Sequence, residues 1–260
     1  MRRFIRKAVN HVPFVKNGID YYLFKRRYND EKNVLKRNQM ISFYSQFVKE
    51  GDLCFDVGGN VGDFTQAFID CGASVICVEP QEYCFNLLAK RFRNNKKVVI
   101  VKKAIGTEEG EMKLHLTSSH TIASMSPEWI NKVKESGRFS EFNWTKHEIV
   151  NVTTLDKLIG MYGVPEFCKI DVEGYEYEVI KGLSRRIKYI SFEFTNEFLE
   201  NAIRIIERLA ELGKMELNFM EGLSLVMYYK DWIDAPSMIL HLRKSKKESV
   251  GDVFIRFTAY

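Results

Sequence analysis

Residues 55–65 read Phe55-Asp56-Val57-Gly58-Gly59-Asn60-Val61-Gly62-Asp63-Phe64-Thr65. The apolar run that leads in, Leu53–Val57, has the length of a buried strand and stops at paired glycines. From Asp63 the spacing becomes helical. A strand, a glycine turn and a helix in succession form the ligand corner of an open α/β sheet. Gly58 permits the tight turn, and Gly62 lets the helix start close to a ligand. The spacing is D-x-G-x-x-x-G, which departs from the G-x-G-x-x-G dinucleotide fingerprint and its pyrophosphate site. A carboxylate at the strand end, Asp56, suits a ligand that has no phosphates and carries an ammonium and a sulfonium. S-adenosylmethionine is such a ligand.

Downstream, strands alternate with helices, as in βαβ units with a parallel sheet. Strands are expected at 53–57, 74–78, 98–101, 167–170 and 189–194, with two late ones near 215–220 and 253–258. Helices are expected at 63–70, 81–92, 153–162, 175–183 and 196–212. The middle differs. Residues 111–116 and 147–152 alternate like exposed strands, around a polar loop with His120 and a short helix near 128–135. That pattern predicts an antiparallel hairpin insertion.

Two further strand ends carry acids. The run Val75–Val78 stops at Glu79-Pro80. An acid there can take both hydroxyls of an adenosine ribose, in an NAD site as well as in other nucleoside sites. Its structural alternative is a helix-start acid that complements the helix dipole. The segment Lys169-Ile170-Asp171-Val172-Glu173-Gly174 ends the fourth strand of the sheet. Ligands lie outside the carboxyl ends of such strands, so Asp171 and Glu173 are expected on the acceptor side. Glu173 reads equally well as the cap of the next helix.

Composition narrows the class. Hydrophobic residues make up 45% and charged residues 28% of the 260, ordinary for a globular chain with a sizeable core. No apolar stretch is long enough to span a membrane, and the basic N-terminus lacks a signal-peptide core. Five cysteines without a C-x-x-C pair read as reduced thiols in a cytoplasmic setting, and no zinc site is expected. Residues 1–38 hold eleven Lys/Arg and three acids, a net +8, against −3 for the remaining 222 residues. The body is therefore not a nucleic-acid binder. The basic segment is either a solvated helical face or a contact with anionic lipid at the inner membrane surface. The division expected is a helical N-terminal extension over 1–50 and a catalytic domain over 51–260.

The series Phe55–Phe64, Val78-Glu79-Pro80, Lys103-Ala104-Ile105-Gly106, Thr154-Leu155-Asp156, Lys169–Gly174 and Val179-Ile180-Lys181-Gly182 resembles the FkbM-type methyltransferases over about residues 50–200. The resemblance implies a Rossmann-like α/β fold with a seven-stranded sheet, S-adenosylmethionine as donor, and a hydroxyl acceptor on a sugar, glycan or natural product. By position it places Asp56, Gly58, Asn60 and Gly62 around the donor's methionine part. It gives Glu79, followed by Pro80, the ribose, and it puts Ala104 and Ile105 beside the adenine. Gly59 stands where the family commonly has Ala or Ser. The acceptor is set by regions outside these motifs.

Alignment of acceptor and donor supplies most of the catalysis in methyl transfer, and a general base adds to it. The candidate bases are Asp171, Glu193 at the end of the fifth strand, and His120. Asp171 and Glu173 have the chemistry to hold Mg²⁺ instead, but no metal site is assigned. Two other readings compete: a nicotinamide-dependent oxidoreductase on the same sheet, and a non-catalytic binding protein that retains the fold. Methylation of a nucleic-acid or protein nitrogen is a further variant, and the absence of the Asn/Asp-Pro-Pro-aromatic tetrapeptide of amino-methylating enzymes argues mildly against it.

Overall fold

Five short apolar strands pair side by side, in parallel. They are β1 (Leu53–Val57), β2 (Ser74–Val78), β3 (Val98–Val101), β7 (Phe167–Ile170) and β8 (Tyr189–Thr195). With β9 (Met215–Glu221) and β10 (Val250–Phe257) they form one seven-stranded sheet in the order β3-β2-β1-β7-β8-β10-β9. Strand β10 runs antiparallel to both of its neighbours. The chain is described here by a computed structural model over residues 31–258.

Helices cover both faces. They are α1 (Glu31–Tyr44), α2 (Asp63–Asp70), α3 (Glu82–Phe92), α4 (Pro127–Glu135), α5 (Leu155–Tyr162), α6 (Glu176–Lys181), α7 (Leu199–Ala210) and α8 (Ala235–Arg243). Among the described residues, no helix is long and apolar enough to cross a membrane. Local chemistry sets several helix starts. The Thr154 hydroxyl accepts the Lys157 N–H at α5, and Ser126 accepts that of Trp129 at α4, just ahead of Pro127.

The expected hairpin forms from β5 (Gly110–Leu116) and β6 (Lys146–Thr153). A two-residue strand, β4 (Ala104–Ile105), joins it in parallel to β6 and makes a second, three-stranded sheet. Strand β6 extends through Thr153, so the following helix starts later than its sequence pattern suggests. Residues 196–212 are not one helix: a 3-10 turn, Asn196–Phe198, precedes α7.

A domain start at residue 51 cuts through the core. The last turn of α1 and the residues after it bring Met40, Phe43, Tyr44, Phe47 and Val48 into one buried cluster with Phe68, Phe167 and Phe254. Tyr44 meets Phe68 edge-on at 5.2 Å, and Phe47 stacks on Phe254 at 5.5 Å. Aromatic pairs of this kind add to the stabilisation from area burial. Hence α1 belongs to the folded body. The basic residues before position 31, on which a membrane contact was expected, lie outside the described residues.

Candidate active site

The carboxyl ends of β1, β2, β7 and β8 open into one cavity of about 380 Å³. The β1–α2 loop forms its floor. Gly58 and Gly59 both donate to the Val78 carbonyl, at 2.9 and 3.0 Å, which ties the loop to the end of β2. Gly58 has φ +83, and a Cβ there would sit 1.9 Å from the Asp171 carbonyl oxygen. Only glycine lets the ends of β1 and β7 approach this closely. At Gly59 a Cβ would lie 2.3 Å from the Cys77 sulfur. The thiol of β2 fills the space that the family's usual Ala or Ser would need.

Seven of the nine expected donor residues line the cavity: Gly58, Gly59, Asn60, Glu79, Pro80, Ala104 and Ile105. Asp56 and Gly62 do not. Asp56 is 1% exposed, and its carboxylate accepts the Thr65 hydroxyl at 2.5 Å, behind the loop. It pins α2 to β1. Gly62 caps α2 at φ +86, where a Cβ would strike Leu88 and Phe92 of α3 at 2.7 Å. Both residues shape the loop from outside the cavity.

Glu79 is 6% exposed. One carboxylate oxygen accepts the Asn60 N–H at 2.8 Å and the other accepts the Gln81 N–H at 2.8 Å. Burial pushes its carboxyl up to about 7, against the lowering effect of those two N–H groups. Each oxygen keeps one lone pair for a further donor. Glu79 thus both braces the loop and offers a bidentate acceptor.

The β7 end supplies the opposite wall. Asp171 donates its N–H to the Val57 carbonyl at 3.0 Å. Its Oδ2 pairs with the Lys169 ammonium at 2.8 Å. Lys169 is buried within the sheet, 4.2 Å from the Phe64 ring centroid, and lies 3.8 Å from Asp252 of β10. Burial acts to lower the Lys169 pKa, but Asp171 and Asp252 outweigh it and raise it. Sequence reasoning gave Lys169 no role, although a lysine inside an apolar strand is itself a signal of a buried partner.

The turn after Asp171 is strained. Glu173 adopts φ +52 and Gly174 φ +90. Glu176 holds this turn by accepting the Val172 and Gly174 N–H groups, each at 3.1 Å. No side chain caps α6, so the capping role considered for Glu173 is not taken up, and Glu173 lines the cavity instead. Asp171, Glu173 and Glu193 bring carboxylate oxygens within 4.8 Å of one another. Burial, then the charges of Asp171 and Glu173, push the Glu193 carboxyl well above the usual carboxylate range.

The insertion closes the cavity from above. His120 opens a 3-10 turn, His120–Ile122, and lies against the donor loop. Its Nδ1 is 2.7 Å from Asn60 Oδ1, and Asn60 Nδ2 donates to the His120 carbonyl at 3.0 Å. Burial lowers the imidazole to about 4. Phe139, Phe142 and Arg138 add an aromatic and cationic rim, with Arg138 paired to Glu197 through two bonds of 2.6 and 2.9 Å. All three candidate bases, Asp171, Glu193 and His120, thus share one cavity with the donor loop.

Comparison with known proteins places this cavity in a family. The curated hexuronic acid methyltransferase AglP of Haloferax volcanii is 26% identical over 146 residues, 55% of each chain, so this chain spans about half the length of that relative. Among solved structures, a precorrin-6y C5,15-methyltransferase from Geobacter metallireducens is 11% identical, covering 85% of this chain and 87% of that one at a TM-score of 0.45. A putative methyltransferase from Streptococcus mutans in complex with SAH is 10% identical, covering 83% and 94% at 0.43. The family described as the methyltransferase FkbM domain matches residues 56–215, from the acid that pins the donor loop to the first residue of β9, which sets aside an oxidoreductase on this sheet; the chain belongs to the FkbM methyltransferase family.

Proposed function

We propose that the chain O-methylates a hydroxyl of a sugar, within a glycan or a small natural product. Its methyl donor is S-adenosylmethionine. One observation carries the reading: Glu79 with the glycine loop, and Asp171 with Glu193, sit at neighbouring strand ends of a single cavity. The residues fit the donor. The two free lone pairs of Glu79 match the vicinal hydroxyls of a ribose. The glycine turn leaves backbone bare beside the methionine part, and Ala104 and Ile105 offer an apolar wall to the adenine. When bound, the donor supplies a methyl group already activated on a sulfonium.

The chain's own task is then alignment, worth about 7–11 kcal/mol in well-oriented reactions. Asp171 accepts from a sugar hydroxyl next to the reacting one, and Glu193 hydrogen-bonds a second sugar oxygen. Phe139 and Phe142 pack against the apolar face of the ring. The name of the Haloferax relative supports a sugar acceptor. The deciding experiment is calorimetry with S-adenosylhomocysteine and NAD, followed by mass spectrometry of glycans from cells with and without the gene. Comparable NAD affinity, or glycans lacking the extra CH₂ in both cell types, would sink the proposal.

Substituting Glu79 tests the donor end. Glu79→Ala is expected to weaken S-adenosylhomocysteine binding by about 1–3 kcal/mol, the range for unpaired polar groups. Ribose hydroxyls donate to the ionised carboxylate, whose free-state value is about 7. Donor affinity should therefore rise from about pH 6 to about pH 8 and then level off. Glu79→Gln should remove that slope. A slope that survives in Glu79→Gln assigns it to another group.

We also propose that the basic N-terminal segment contacts an anionic surface. Deleting residues 1–30, which spares α1, should reduce sedimentation with acidic liposomes and leave donor binding intact. Equal sedimentation of the two proteins would rule the contact out.

A further inference from the structure

We propose that Asn60 fixes the tautomer of His120, so that Nε2 of His120 is the group that takes the acceptor's proton. The inference rests on the methyltransferase reading above and assigns the base within it.

The two hydrogen bonds between these residues determine each other. Asn60 carries one amide group, and its NH₂ donates to the His120 carbonyl, an atom that can only accept. That contact settles which end of the amide is oxygen. The end facing the ring, 2.7 Å from Nδ1, is therefore Oδ1, which also can only accept. Nδ1 must then be the protonated ring nitrogen. In a neutral imidazole the other nitrogen is left with its lone pair. Among the described residues no hydrogen bond engages Nε2, and the ring lines the cavity.

Burial keeps the imidazole neutral, so the lone pair is present at any pH near neutrality. The competing groups are worse placed for this task. Asp171 has one carboxylate oxygen committed to Lys169, and Glu193 shares its corner with two other carboxylates. His120 is a weak base, but methyl transfer to a hydroxyl asks little of it. As the oxygen bonds the methyl carbon, the carbon–sulfur bond breaks and its electron pair stays on sulfur. The hydroxyl proton becomes strongly acidic as the oxygen turns into an oxonium, and it passes to Nε2. The imidazolium then returns it to water.

Asn60 is suited to hold this arrangement. It sits at φ +49, a left-handed conformation that asparagine tolerates better than most residues, and its own N–H is anchored on Glu79. The ribose acid, the loop and the base form one hydrogen-bonded chain.

Nitrogen NMR of the imidazole reads the tautomer directly. In the wild-type protein at neutral pH, Nδ1 should give a protonated and Nε2 an unprotonated signal. Asn60→Gly keeps the left-handed backbone and removes only the amide, so the two signals should move toward an average. A protonated Nε2 in the wild type overturns the proposal, as does an unchanged pattern in Asn60→Gly. His120→Ala should lower methyl incorporation into extracted glycan by at least about a hundredfold, bind S-adenosylhomocysteine within a few-fold of wild type, and recover part of its activity with added imidazole. Normal incorporation in His120→Ala defeats the base role. If His120→Ala unfolds, His120→Gln, which retains a hydrogen-bonding side chain, must bind donor and still fail to transfer. Loss of S-adenosylhomocysteine binding in both variants places His120 in the donor site and overturns its role as base, while the methyltransferase reading stands.

Discussion

Lys169→Met is expected to destabilise the fold by about 3–5 kcal/mol, the cost of leaving buried charges without their partner. The geometry gives the reason. Register aligns Asp56, Lys169, Ser191 and Phe254 across β1, β7, β8 and β10, so all four point to the face covered by α1. Tyr44, Phe47 and Phe68 seal that face from water. Lys169 is the cation between Asp171 and Asp252, and methionine matches its length without its charge. Burial pushes Asp252 up to about 6 even with Lys169 present, and loss of Lys169 pushes it higher. An acid whose folded value is raised contributes stability below its unfolded value and loses it as pH rises through the folded value. The difference between variant and wild type should therefore be smallest near pH 5 and largest near pH 8. Urea denaturation at both pH values checks this. A loss that does not change with pH would mean that packing, not charge, is the cause. Adding Asp252→Asn to the variant should recover part of the stability at the higher pH.

This network shows where sequence reading stops. The strands β1, β2, β7 and β8 and their terminal residues Gly58, Glu79 and Asp171 are legible because each is a short apolar run broken by a local signal. The hairpin is legible from its alternation. That Asp56 stays out of the cavity is not legible, because the end of a strand does not reveal which way the last side chains turn, and Thr65 claims this one from the next helix. Strand β4 has only two residues, too few to show a period, and it exists because β6 lies beside it. Helix α8 begins at Asp234, which caps it by accepting the Ser237 N–H, within a stretch of weak periodicity. The Asn60–His120 clasp spans 60 positions and the Lys169–Asp252 pair spans two sheet crossings. No spacing rule reaches that far, since the pairing follows from strand order rather than from local pattern.

The same strand order makes Asp171 the residue to test at the acceptor end. It ends β7, beside the strand that carries the donor loop, and its backbone oxygen is the atom that excludes any side chain at Gly58. Lys169 holds Oδ2, which leaves Oδ1 free for the proposed acceptor contact, with carboxylate oxygens of Glu173 and Glu193 within 4.8 Å. Asp171→Asn nearly preserves shape and removes the charge proposed to orient the sugar. A misplacement of about 1 Å at a reacting centre can cost about a hundredfold in rate. Methyl incorporation is therefore expected to fall at least about a hundredfold, with S-adenosylhomocysteine affinity within a few-fold of wild type, because Glu79 and the glycine loop are untouched. A matching loss of donor affinity would instead move Asp171 to the donor's ammonium end. A chelator distinguishes two ways of acting. Activity that disappears with chelation and returns with Mg²⁺ would mean that the three carboxylates hold a cation, and indifference to the chelator leaves the carboxylate acting directly. Normal incorporation by Asp171→Asn would pass the orienting role to Glu193.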